Sequence, residues 1–102
     1  MDERRAVTHF YFTGAGQQSV AVASNEHISV YQLDISPLDD TNVEIRIGTA
    51  VIFHGNVKKD FPFQLFFIDF GLGRGTGVKG DDMVVQVGAA AHVFVAHIIT
   101  VD

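Results

Sequence analysis

The side chains of this sequence are shaped for sheets. It holds 14 Val and 8 Ile against 4 Leu, with 9 Phe and 2 Tyr besides. β-branched and aromatic side chains fit a pleated, half-buried surface, whereas a helix-building chain would lean on Leu and other unbranched residues. The clearest two-faced segment is Val43-Glu44-Ile45-Arg46-Ile47, where apolar and charged residues alternate with a period of two. Val20 and Val22 alternate in the same way, and Ile28 and Val30 flank Ser29 before the denser run Tyr31 to Ile35. Short turn signals separate these runs: Gly14-Ala15-Gly16, Ser24-Asn25-Glu26, Pro37 to Asp40, Gly48-Thr49, Gly55-Asn56 and the stretch Gly71 to Asp82. The pattern predicts strands near residues 6–13, 18–23, 27–36, 42–47, 49–54, 64–70, 83–88 and 91–101. About eight short strands at this spacing point to an all-β, single-domain antiparallel β-sandwich of jelly-roll type covering residues 1–102, with residues 1–5 as a flexible N-terminal arm.

Composition narrows the function. The 102 residues suit one domain, and 47% apolar content with 19% charged residues predicts a packed core and not a disordered chain. A net charge of −5, with only 7 Lys and Arg, disfavours direct nucleic-acid binding, which needs clustered cations along the phosphate backbone. There is no cysteine, hence neither a disulfide framework nor a thiolate metal site. The charged start Met1 to Arg5 does not read as a secretion signal. The most apolar run, Val93 to Val101, is broken by His97 and Thr100 and falls far short of the roughly 20 residues of a membrane helix. No membrane partner is expected.

The motifs carry little chemistry. Gly75, Gly77 and Gly80 satisfy G-x-G-x-x-G in form, but Asp81-Asp82-Met83-Val84-Val85 follows, placing two negative charges and a strand where a phosphate-facing helix should begin. Lys79 is followed by Gly80 and not Ser or Thr, so a P-loop also fails, and the stretch reads as a wide, flexible connection. Asp69-Phe70-Gly71 matches a kinase triplet by letters alone. Five histidines, His9, His27, His54, His92 and His97, raise a metal site. His92 and His97 are five apart, and an odd spacing puts strand side chains on opposite faces, so no shared ion is expected. Asp39-Asp40 and Asp81-Asp82 read as turn acids bonding nearby backbone, with a weak calcium site as the alternative. No serine sits in a nucleophile setting. No catalytic residue, cofactor or metal is expected.

The last strands carry apolar residues on both faces: Val93, Val95, Ile99 and Val101 on one, Phe94, Ala96 and Ile98 on the other. Phe61-Pro62-Phe63-Gln64-Leu65-Phe66-Phe67 is equally crowded. An antiparallel sheet normally leaves one face wet, so such faces are either central in a covered sandwich or hidden by a second subunit. Phe61, Phe63, Phe66, Phe67, Phe94 and Ile98 are the candidate oligomer-interface residues.

The layout resembles the small all-β virion proteins of tailed bacteriophages, especially head decoration or cement proteins. The matching features are the Gly turn and strand Gly16 to Val22, the strand His27 to Leu33, the paired strands Val43 to Ile52, the Pro-aromatic segment, Gly71 to Gly80 and the closing apolar strands. The resemblance implies a non-enzymatic jelly-roll subunit, a homo-oligomer with a trimer favoured, that binds the major capsid protein on the capsid surface of a virion assembled in the host cytoplasm. Arg4 and Arg5, in the expected arm, are then the candidate shell contacts. Two alternatives stand beside it: a tail or fibre module binding a host surface or glycan, and a small jelly-roll metal enzyme or sugar-binding protein using His54, His92 or His97.

Overall fold

The computed structural model describes residues 3–66 and 76–102. Over these residues the chain forms eight strands. They are β1 (Glu3–Phe12), β2 (Gly16–Val20), β3 (Glu26–Pro37), β4 (Thr41–Ile47), β5 (Ala50–Val57), β6 (Phe63–Phe66), β7 (Met83–Val87) and β8 (Ala91–Val101). Two four-stranded sheets result, ordered β1-β8-β3-β6 and β2-β7-β4-β5. Every pairing is antiparallel. Each sheet interleaves strands from the two halves of the chain, the arrangement that two Greek keys produce in a jelly-roll sandwich.

The alternation read in the sequence decides what lies between the sheets. Val43, Ile45 and Ile47 of β4 are buried, as are Met83, Val85 and Val87 of β7, and opposite them Val93 and Val95 of β8. In β3 the period slips. Ile28 and Val30 are buried, then Leu33 and Ile35, because a bulge between Val30 and Gln32 sets Tyr31 outside the ladder. That bulge lets Ile28 and Val30 share a face with Leu33 and Ile35, which an unbroken alternation would put on opposite faces.

Several boundaries differ from expectation, and β2 runs over Gly16–Val20 where residues 18–23 were expected, leaving Val22 outside the strand. β1 starts at Glu3, not near residue 6, and pairs with β8 from Glu3↔Thr100 through Phe12↔Ala91. Since β8 runs on to Val101, the chain from Glu3 to Arg5 has a partner and lies in the sheet, not in a loose arm. β5 continues to Val57 because β4 offers a ladder up to Thr41↔Val57. β6 spans Phe63–Phe66, and the rest of the strand expected over residues 64–70 lies outside the described residues.

The connections are held by backbone and carboxylate bonds. Gly48 (φ 61°) turns β4 into β5, in a left-handed conformation that glycine adopts without a Cβ clash. Its N–H donates to the Asp82 carbonyl at 3.0 Å. The turn acids act on backbone as expected: Asp40 accepts from the Lys59 N–H and Asp82 from the Val22 N–H, both at 2.9 Å. The described end of the Gly-rich stretch is tied down and not loose. Thr76 bridges Ser29, the Gly77 N–H donates to the Ile28 carbonyl at 2.9 Å, and the Gly80 N–H donates to the Glu26 carbonyl at 2.7 Å. The remainder, Gly71 to Gly75, lies outside the described residues, as do Asp69 and Phe70.

Candidate interaction surface

β8 is a central strand of its sheet, and its parity assigns its faces. Val93, Val95 and Ile99 point into the core with His97, whereas His92, Phe94, Ala96 and Ile98 point away. Register then builds the outer face. Arg5, Val7, His9 and Tyr11 of β1 stand beside Ile98, Ala96, Phe94 and His92, with Ser29, Gln32, Asp34 and Ser36 of β3 on the other flank. Gln64 and Phe66 of β6 lie beyond, opposite Asp34 and Gln32.

The apolar side chains of this face, Val7, Tyr11, Phe94, Ala96 and Ile98 of β1 and β8 with Phe66 of β6, stand beside a polar row on β3, Ser29, Gln32, Asp34 and Ser36. Val7 is 55% exposed, Tyr11 54% and Phe66 53%, while Phe94 and Ile98 are half-buried between their neighbours. His9 lies against Phe94 with ring centroids 4.4 Å apart, and Tyr11 meets His92 edge-on at 4.8 Å. A hydrogen bond of 3.0 Å joins His9 Nδ1 and the Tyr11 hydroxyl. Aromatic pairs of this kind contribute about 0.5–1.5 kcal/mol each. They also hold the rings in place before anything docks, which lowers the ordering cost of an interface.

The outer face of the second sheet is different. It presents Gln17 and Ser19, then Gln86 and Val84, then Asn42, Glu44 and Arg46, then His54, Asn56 and Val51, the last 49% exposed. Arg46 donates to Glu44 and to Gln86 Oε1, so the charges on this face are met internally. A groove of about 330 Å³ at its rim, between Asn42, Glu44, His54 and Gln86, offers one carboxylate and one imidazole. Among the described residues, no group of three or more His, Cys, Asp or Glu side chains is arranged to hold a metal ion.

The histidines of the metal alternative are dispersed. His54 lies on the second sheet opposite Glu44, His92 on the outer face of the first, and His97 inside the sandwich. His97 Nε2 is 2.8 Å from Thr8 Oγ1, while Nδ1 is enclosed with no partner among the described residues. Burial pushes its pKa down and favours the neutral ring. His27 Nδ1 is 2.9 Å from both carboxylate oxygens of Asp102 and fastens the end of the chain to β3.

The expected interface residues divide between environments. Phe66, Phe94 and Ile98 share the outer face. Phe61 is 72% exposed just before β6. Phe63 turns inward, its ring 5.2 Å from that of Phe53 at the core margin. Phe67 lies outside the described residues. The two arginines also part. Arg4 faces the inner side and donates to Glu26 Oε2 at 2.7 Å, and Glu26 Oε1 accepts the Ala23 N–H at 2.8 Å. The Arg4 and Ala23 bonds hold the Glu26 carboxyl below its ordinary value. Arg5 faces outward beside Ile98 and meets no carboxylate among the described residues. Val7, His9, Tyr11 and Asp34 were not among the interface residues expected from the sequence. The available signal was β1 itself, where Phe10 and Phe12 alternate with His9 and Tyr11 so that both faces are bulky.

No protein-family model matches the sequence, and no curated protein matches it. Solved structures do. A structure of Bacillus endospore appendages, described as a family of disulfide-linked pili, is similar at a TM-score of 0.55 with 13% identity, over 98% of this chain and 87% of that one. The nucleoplasmin-like N-terminal domain of Drosophila FKBP39 is similar at a TM-score of 0.55 with 12% identity, over 96% and 92% of the two chains. The coat protein of tobacco streak virus aligns at a TM-score of 0.47 with 12% identity, over 97% and 86%. The likeness to the first two establishes the class of fold, an all-β sandwich of two antiparallel sheets.

Proposed function

We propose that this chain is a non-enzymatic structural subunit that assembles with copies of itself and docks on a larger protein shell, in the manner of a capsid decoration or cement protein. The observation that carries this reading is the asymmetry of the sandwich. One outer face carries Val7, Tyr11, Phe66, Phe94 and Ile98 beside the polar row of β3, and the other carries mainly amides and internally paired charges, with Val51 and Val84 as its apolar side chains. A sheet face of three long strands and one short one measures roughly 500–600 Å² in projection, comparable to the ~800 Å² of accessible surface that each partner contributes to an ordinary specific interface. Burying apolar surface contributes about 25 cal/mol per Å², enough to offset the cost of association when the rings are already fixed.

Likeness in fold to an appendage protein supports an assembly role. Those pili are described as disulfide-linked, whereas this chain has no cysteine, so its cohesion would be non-covalent. In the decoration reading a closed trimer sits on the capsid surface and engages several copies of the major capsid protein at once. Weak contacts then add through avidity, and binding to the assembled shell alone shifts the equilibrium toward it. The test is pelleting of the purified protein with shells of the major capsid protein encoded beside its gene. Saturable binding is expected. Adjacent fibre genes and no shell binding would overturn the decoration reading in favour of a tail or fibre module.

A further inference from the structure

We propose that two copies of this chain pair β1 to β1 about a two-fold axis, joining their four-stranded sheets into one. β1 is a free edge of the sheet β1-β8-β3-β6. Native sheets blunt such edges with short strands, bulges, proline or charge. The other edges fit that rule: β6 has four residues, β2 has five, and β5 carries a register shift against β4. β1 has ten residues in unbroken register with β8, and from Ala6 to Phe12 it holds no proline, glycine, Asp, Glu, Lys or Arg. An open ladder of this length is a template for another strand.

The existing ladder shows which backbone groups await a partner. Just past the two ends of β3, the Leu38 N–H donates to the Ala90 carbonyl at 3.0 Å and the Asp102 N–H to the Asn25 carbonyl at 2.7 Å. Backbone groups of successive residues in a strand point to opposite sides, so the even-numbered residues of β8 bond to β3 and the odd-numbered ones to β1. The residues of β1 opposite His97, Val95, Val93 and Ala91 are Ala6, Thr8, Phe10 and Phe12. Arg5, Val7, His9 and Tyr11 therefore turn their N–H and C=O groups to the free edge. Gln18 Nε2 reaches one of them, the Tyr11 carbonyl, at 3.4 Å from outside the ladder.

A second copy of the strand fits this edge. An axis normal to the sheet runs the two strands antiparallel and keeps outer face beside outer face, so odd residues oppose odd and even oppose even. Centred on Thr8, it pairs Arg5 with Tyr11 and Val7 with His9, and these pairs with their symmetry mates exchange about eight backbone hydrogen bonds. Arg5, which has no carboxylate partner among the described residues, then lies beside the exposed Tyr11 ring of the other copy, and a guanidinium is attracted to such a ring face. The two Arg5 side chains stand at opposite ends of the new ladder, so like charges stay apart. The inference rests on the proposed self-assembly and adds an edge contact that makes two outer apolar faces continuous across β1. A two-fold contact gives even-numbered assemblies, a pair of trimers among them.

Cysteine cross-linking tests it, because the chain has no cysteine of its own. The two Thr8 residues oppose each other on the axis as a non-hydrogen-bonded pair with Cα atoms about 4.5 Å apart, within the span of a disulfide. Oxidised Thr8→Cys should run as a covalent dimer. Ala6→Cys faces the same side of the sheet but its two copies lie roughly 14 Å apart, so it should not cross-link. In sedimentation, Val7→Pro should raise the dissociation constant roughly 10-fold or more, because it removes an edge N–H that is unbonded within the chain while keeping the outer face apolar. An oligomeric Thr8→Cys chain that does not cross-link, or Ala6→Cys that links equally well, would overturn the edge contact and leave outer-face assembly standing. A folded Val7→Pro chain that assembles as wild type does would overturn it too. A wild-type chain that stays monomeric would overturn both.

Discussion

Gly77→Ala probes how the Gly-rich stretch closes one end of the sandwich. A Cβ at this position would sit 2.1 Å from Ile47 Cγ2 and 3.2 Å from Ile47 Cβ. Carbon atoms pack at about 3.5–4.0 Å, so the added methyl overlaps its neighbour by roughly 1.5 Å. Neither side can withdraw freely: the Gly77 N–H is bonded to the Ile28 carbonyl, and Ile47 is 1% exposed within the core. Overpacking of this kind costs about 1–3 kcal/mol. In a domain of this size 2 kcal/mol lowers Tm by roughly 8–16 °C. Urea unfolding should give a lower midpoint with an unchanged m-value, the mark of lost stability within a two-state transition. The partner residue sharpens the test. Ile47→Ala alone should cost about 2–5 kcal/mol by leaving a cavity. The new methyl partly fills that cavity, so the double variant should fall short of the summed costs by about 1 kcal/mol or more. A Gly77→Ala protein as stable as wild type, or strict additivity with Ile47→Ala, would refute the close approach of these segments.

Three other outcomes follow from named contacts. Thr41 Oγ1 accepts the N–H groups of Gly88 and Ala89 at 3.0 and 2.9 Å at the β7–β8 turn. Thr41→Val removes that acceptor and should cost about 1–2 kcal/mol in urea unfolding. His97 is held neutral by burial, with a folded pKa below the ordinary 6.5. Above pH 6.5 neither state binds the proton; below it the unfolded chain does and the folded chain does not, so stability should drop as pH falls from 6.5 toward the lower folded value, and His97→Gln should flatten that slope. Glu26 works on the acid limb. Its lowered pKa contributes stability above its ordinary 4.5 that is lost as pH falls through the folded value. Stability curves of Glu26→Gln from pH 3 to 6 should lack that loss.

Local alternation made most of the strands readable. Val43 to Ile47 declares its two faces without help from the rest of the chain, and β8 runs without a bulge, so the odd spacing of His92 and His97 placed them on opposite sides. The odd spacing of Phe63 and Phe66 separates them in the same way. What escaped the sequence was set by non-local pairing. The order β1-β8-β3-β6 joins segments nearly a chain length apart, and only the reach of β8 to Val101 reveals that Glu3, Arg4 and Arg5 belong to a strand. Asp34 was hidden for another reason. The bulge at Tyr31 shifts the parity of everything after it, so whether Asp34 faces inward or outward cannot be counted from Ile28 and Val30. The conspicuous acids, Asp39-Asp40 and Asp81-Asp82, sit in turns where Asp40 and Asp82 bind backbone, while the carboxylate lacking a donor lies within a strand.

Self-assembly through the outer face of the β1-β8-β3-β6 sheet is the central claim, and sedimentation velocity across a concentration series tests it most directly. Val7→Lys/Tyr11→Lys alters two side chains that are more than half exposed in the single chain, so the fold should survive, with a melting temperature lowered by roughly 2–12 °C for the lost Tyr11–His92 pair. Wild type should sediment as a closed oligomer that dissociates on dilution, and the variant as the 11.1 kDa monomer at every concentration. A wild-type chain that remains monomeric throughout, or a lysine variant that assembles as wild type does, would contradict the account.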